Sequence, residues 1–124
     1  MMKLLLWHCN NVSEKQNWEM KSWNNVLFLW ACKEKGDVRT NLDKAVSEAK
    51  KATDYLKTSN VIISPFPYLS NKALGMIENE KNAERIQRRL KSKGLNVNMV
   101  SFEKADRIKF QLYGHRVSVG YRSV

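Results

Sequence analysis

Hydrophobic residues in this chain come in short runs separated by polar segments, and the period changes from run to run. Residues 3–9 (KLLLWHC) and 26–33 (VLFLWACK) are apolar stretches rich in β-formers, each bounded by asparagines. Such runs predict strands covered on both faces. The polar stretch between them, NNVSEKQNWEMKSWNN, carries Trp18 and Trp23 and reads as a loop with at most a helical turn. KEKGD then turns the chain. From Asn41 to Lys57 the period becomes helical, with Leu42, Ala45, Val46, Ala49, Ala52 and Leu56 on one face and Thr40 or Asn41 as the cap.

NVIIS (residues 60–64) is the third strand. A second helix is expected to start at Ser70 or Asn71, to bury Leu74, Ile77, Ala83, Ile86 and Leu90, and to end at Gly94. Its middle, GMIENEKNA, is weak in helix signals, which allows a break. NVNMVSF, RIKFQLY and RVSVGY read as three more strands, the last two as a hairpin turning at Gly114-His115. The predicted order is β-β-α-β-α-β-β-β, an α/β chain of the α+β type with a mixed sheet and two helices. No linker or repeat interrupts it, so residues 1–124 form a single domain.

Composition narrows the function. No apolar run approaches the roughly 20 residues needed to cross a bilayer, and the start, MMKLLLWHCNN, lacks a cleavage site. A cytoplasmic protein with no membrane partner is expected. Cys9 and Cys32 stand alone in apolar runs, which predicts buried free thiols and no metal site. Twenty-two Lys and Arg against twelve Asp and Glu leave a net charge of +10. That balance favours polyanionic partners, RNA or DNA ahead of membranes; the plainer alternative is an incidental basic surface.

The usual enzyme constellations are missing: no Gly-rich phosphate loop, no nucleophile elbow and no His-Glu-x-x-His. His8 closes the first strand, where residues often line sites, and His115 falls in a turn that favours a solvated side chain. Arg85, Arg88, Arg89, Lys91 and Lys93 gather late in the second helix, where cations also complement the helix dipole. Arg107, Lys109, Arg116 and Arg122 fall on or near the last hairpin. Together the two groups form a candidate RNA-facing surface. Both prolines of the chain, Pro65 and Pro67, stand at the exit of the third strand.

KLLLWHC, VLFLWACKEK, NVIISPFPYLS, RRLKSKGLNVNMVSF and IKFQLYGHRVSVGYRS, taken in this order, resemble the editing domain at the N-terminus of archaeal threonyl-tRNA synthetases. The Pro-Phe-x-x-Leu-Ser segment is the most specific part. The resemblance implies a D-aminoacyl-tRNA deacylase-like fold, a homodimer, and removal of serine misattached to threonine tRNA. It also implies a pocket for the tRNA 3′ end built largely from main chain, with the 2′-hydroxyl of the tRNA positioning water. Pro65, Phe66 and Pro67 would form a stiff backbone wall of that pocket, with Lys33 and His8 as further substrate contacts. No cofactor is implied here: ATP and zinc would belong to other synthetase domains, supplied in cis or in trans.

This chain departs from the family at its side chains. Tyr68 stands where the family has histidine, Ala105 and Asp106 where it has an aromatic residue and lysine, and Val119 where it has glutamate. A two-residue slip would bring Lys104 to the lysine position on the same strand face. Tyr68, Lys104 and Asp106 are thus the candidate catalytic positions. The competing reading is a lapsed relative that binds tRNA or supports dimerisation without chemistry.

Overall fold

A computed structural model of the chain describes residues 1–101 and 107–124. The order is β1 (Lys3–Gln16), β2 (Glu19–Cys32), α1 (Arg39–Leu56), β3 (Asn60–Pro65), a short 3-10 turn (Pro67–Leu69), α2 (Met76–Ser92), β4 (Asn96–Met99), β5 (Arg107–Leu112) and β6 (Val119–Ser123). One mixed sheet runs β4-β3-β2-β1-β5, and β6 also pairs with β1. β2, β3 and β4 are parallel neighbours; β1 runs antiparallel to β2, β5 and β6.

The two helical crossovers, β2-α1-β3 and β3-α2-β4, step in the same direction across the sheet. Right-handed crossovers that do so deposit both helices on one face. That face holds the larger core: Leu4 and Leu6, Leu27, Leu29 and Ala31, and Val61 and Ile63 meet Ala45, Val46 and Ala49 of α1 and Ala83, Ile86 and Leu90 of α2. The alternate side chains point to the other face, which carries no α-helix among the described residues. There Cys9, Val12, Val26, Phe28, Trp30, Ile62 and Val100 are buried, with Trp7, Phe66, Ile108 and Phe110 packed against them. Residues 26–32 are therefore buried without exception, as the continuous apolar run predicted.

Four expectations are corrected. The polar segment 10–25 is no loop, because β1 and β2 run straight through it as a long hairpin with Gln16 opposite Glu19. Asn17 turns the tip with a left-handed φ of 55°, which asparagine tolerates. β5 and β6 do not form a hairpin. Both lie antiparallel along the same edge of β1, β5 opposite Cys9–Lys15 and β6 opposite Lys3–Trp7, separated by residues 113–118. The second helix starts at Met76, preceded by the Pro67–Leu69 turn, and runs unbroken; Ile77 on its first turn is 71% exposed. In α1 the N-cap is Val38, and Asn41 serves from the third helical position by accepting the Val38 amide at 2.9 Å.

The helix-free face depends on Phe28, which is fully buried with Trp30 at 4.7 Å and Phe110 at 4.9 Å between ring centroids. Phe28→Ala should lower unfolding free energy by about 3–5 kcal/mol, read as a shift of the urea midpoint at unchanged slope.

Candidate functional site

The proline segment closes the β2-β3 ladder. Pro65 pairs with Ala31, and the Phe66 amide donates to the Ala31 carbonyl at 2.9 Å. Pro65 brings no amide to the ladder, so the strand ends there, and Pro67 starts the 3-10 turn with its φ already set. Beneath the turn, Cys32 Sγ lies 3.9 Å from the Pro67 carbonyl. Burial pushes both thiols up to about 11, as expected of free, inert cysteines.

An aromatic chain backs this wall on the helix-free face. Phe66 stacks obliquely on Trp30 at 4.9 Å, Trp30 meets Trp7 edge-on at 5.1 Å, and Trp7 meets Phe110 at 5.3 Å. Tyr68 stands edge-on to Phe66 at 5.3 Å and is 76% exposed. The same face continues onto β6: Val119 lies opposite Trp7 and Tyr121 opposite Leu5. Their exposures, 57% and 52%, are high for apolar strand residues. Sequence reasoning found Tyr68 and Val119 but not Trp7 and Tyr121. The strand register is the signal that joins them.

A polar clamp fixes the wall from the other side. The Met1 ammonium sits 3.0 Å from Glu34 and 3.2 Å from Asp37, and the Glu34 amide donates to Asp37 at 2.8 Å. Ser70 Oγ donates to the other Glu34 oxygen. Fully buried Asn79 ties the same region down: its oxygen accepts the Lys33 amide at 2.7 Å, and its NH2 donates to the Leu74 and Gly75 carbonyls.

The remaining candidates separate. His8 does not close β1, which runs on to Gln16, and it lies four residue pairs along the ladder from the end where Pro65 pairs. Its polar atoms are committed to a chain: the Val117 amide donates to His115 Nδ1 (3.3 Å), His115 Nε2 to His8 Nδ1 (2.7 Å), and His8 Nε2 to Asn25 Oδ1 (2.8 Å). His8 is thus a satisfied structural histidine, apart from the proline wall. The basic residues also form two groups. Arg85, Arg88 and Arg89 border a cleft between the helices together with Lys33 and Arg39. Arg107 and Lys109 are exposed on β5 at the opposite edge of the sheet, and Arg116 lies in the loop after it. Lys104, Ala105 and Asp106 lie outside the described residues. Among the described residues no cluster of His, Cys, Asp or Glu is arranged to hold a metal ion, and no helix is long and apolar enough to cross a membrane.

A mixed sheet with two helices on one face is the D-aminoacyl-tRNA deacylase-like fold expected from the sequence. The family follows from the sequence match: residues 2–124 fit the model of the Archaea-specific editing domain of threonyl-tRNA synthetase, and the chain belongs to that family. No curated protein sequence matches it. Among solved structures it is similar to the c-Myc DNA Unwinding Element Binding Protein, with a TM-score of 0.75 over 100% of this chain and 99% of that one. At 9% identity that likeness carries the fold alone.

The clamp makes stability depend on pH in both directions. Hydrogen bonding from Ser70, and then from the Met1 ammonium, holds Glu34 below its ordinary value of 4.5, while hydrogen bonds to Glu34 and Asp37 hold the amine above its ordinary 8.0. The carboxylate contribution is present above 4.5 and is lost as pH falls through the lowered folded value. The amine contribution is present below 8.0 and is lost as pH rises through the raised folded value. Melting temperature should therefore fall on both sides of that window. Ser70→Ala should flatten the acid limb and leave the alkaline limb in place, as differential scanning calorimetry across pH would read.

Proposed function

We propose that this chain edits mischarged threonine tRNA, hydrolysing the ester of seryl-tRNA(Thr) in the cytoplasm as the proofreading module of an archaeal-type threonyl-tRNA synthetase. The observation that carries this reading is the family match over residues 2–124, joined to a wall in which Pro65, Phe66 and Pro67 offer backbone at the end of a buried strand. A rigid backbone wall suits discrimination by size, since it excludes the extra methyl of threonine without needing a side chain that reacts. In the reaction a water oxygen bonds to the ester carbonyl carbon and the bond to the ribose oxygen breaks. That oxygen takes the proton released by the water, and free serine leaves. The 2′-hydroxyl of the substrate positions the water, so the protein supplies orientation more than acid-base chemistry.

Tyr68 in place of histidine and apolar Val119 in place of glutamate favour a second reading, a module of the same fold that binds tRNA and has lost most of its chemistry. The two readings separate in single-turnover hydrolysis of seryl- against threonyl-tRNA(Thr). Editing requires selective loss of serine above the buffer rate, and retention of both esters beside intact tRNA binding would leave the binding module. If the missing general acid-base group limits the rate, Tyr68→His should raise serine release about tenfold or more.

The homodimer belongs to the same proposal. Leu5, Trp7, Tyr68, Val119 and Tyr121 leave the helix-free face partly uncovered and apolar, and a second copy would cover it. Tyr121→Arg should convert the dimer to a monomer in sedimentation velocity; an unchanged sedimentation coefficient would place the contact elsewhere.

A further inference from the structure

Opposite the aromatic wall, on the helix side of the sheet end, the N-terminus of α1 and the flank of α2 enclose a cleft of about 480 Å³. Lys33, Arg39, Arg85, Arg88 and Arg89 line it, with Met2 and Leu42 as an apolar floor, exposed Val38 at its rim and Asn82 at its side. No acidic residue lines it. Arg89 is paired with Asp43, but among the described residues Lys33, Arg39, Arg85 and Arg88 have no acidic partner. Four unpaired cations around one concavity repel one another, and concave low-dielectric walls strengthen the field they share.

Arg39 adds to this imbalance. It is the first residue of α1, where the helix dipole is positive, and the first turn of that helix has no acidic residue. A cation at that position is unfavourable unless an anion lies beside it, and a helix N-terminus is itself suited to phosphate. Asn82 points the same way: it is 2% exposed, yet among the described residues its side chain's one hydrogen bond is to the Met2 sulfur at 3.6 Å, a weak acceptor.

We infer that this cleft seats a backbone phosphate of the tRNA, with the adjoining sugar against Met2, Val38 and Leu42. The inference rests on the editing reading for the identity of the RNA, and on the charge and shape of the cleft for the phosphate. RNA is favoured over a free nucleotide because Arg89, at the edge of the cleft, also borders an adjoining groove between the helices with Lys50, Lys51 and Lys93, a basic stretch longer than one nucleotide needs. Lys33 also links the cleft to the wall: it follows Cys32, which packs under Pro67, and alternation sends successive side chains to opposite faces. A strand whose 3′ end reaches the proline wall would pass the cleft a few nucleotides earlier.

The test uses the whole chain, a fluorescent acceptor-stem minihelix ending in CCA, and the double variant Arg85→Ala/Arg88→Ala, with Lys15→Ala/Lys21→Ala on the distant β1-β2 hairpin as the remote comparison. Both pairs are exposed, so circular dichroism should report unchanged folding. The cleft variant should bind the minihelix about tenfold more weakly, with the salt slope of log K reduced by roughly 0.7–0.9 per phosphate lost. Inorganic pyrophosphate should shift the Arg39 and Leu42 amide resonances in the wild type and not in the cleft variant. Equal minihelix binding by the cleft variant, or pyrophosphate shifts confined to other residues, would overturn the seat whatever the editing activity. Binding of 5′-AMP at the cleft with minihelix affinity unaffected by the variant would overturn the RNA assignment in favour of a nucleotide site. Failure of the editing reading would look different, as seryl-tRNA left intact while the minihelix still binds through the cleft.

Discussion

Seven consecutive buried residues of β2, from position 26 to 32, are the constraint on which the rest of the molecule depends. β2 is the only strand with a long antiparallel neighbour on one side and a parallel neighbour on the other among the described residues. Its odd-numbered side chains hold the helices and its even-numbered ones hold the aromatic layer. A one-residue slip would exchange Leu27, Leu29 and Ala31 with Phe28 and Trp30, and neither core would fit. The same alternation delivers Cys32 to the underside of the proline turn and Lys33 to the cleft. The two faces of the candidate site are thus one strand end seen from two sides.

Much of this was legible in the sequence where burial imposed a period. Both crossover helices sit on an apolar stripe, and β2 and β3 are unbroken apolar runs, so their existence followed from spacing. The long hairpin was illegible for the opposite reason. Beyond Asn10 and Asn25 only Val12 is a buried apolar residue, with Trp23 packed beside it and the buried Glu14 polar, so burial there leaves no apolar alternation to read. The β5-β6 misreading has a different cause. A Gly-His turn between two alternating segments is a sound local hairpin signal, but β1 is fourteen residues long, and its free edge accommodates both strands end to end. Local turn chemistry lost to a long unpaired edge.

The site divides in the same way. Pro65 and Pro67 were visible because two prolines at one strand exit have a local mechanical meaning. The cleft was not, since Arg39 is far from Arg85 in sequence and only the packing of α1 beside α2 brings them together. Asn79 and Asn82 weakened the helix signal in the sequence for a reason the structure supplies. Buried amides on that face serve tertiary contacts, Asn79 to the Lys33 amide and Asn82 at the cleft, where a better helix former would serve only the helix.

The arrangement separates affinity from discrimination. Aromatic and backbone groups on the helix-free face carry no charge and respond to the size of what lies against them. The cations lie instead on the helix face, around the cleft, and at the far edge of the sheet. Loss of the family's histidine and glutamate side chains leaves this division intact, because neither the backbone wall nor the basic cleft is built from the replaced positions. What those replacements remove is ionisable groups on the helix-free face. Under the proposed editing reading, water activation would then fall to the substrate's own hydroxyl, a group the protein would need only to hold still.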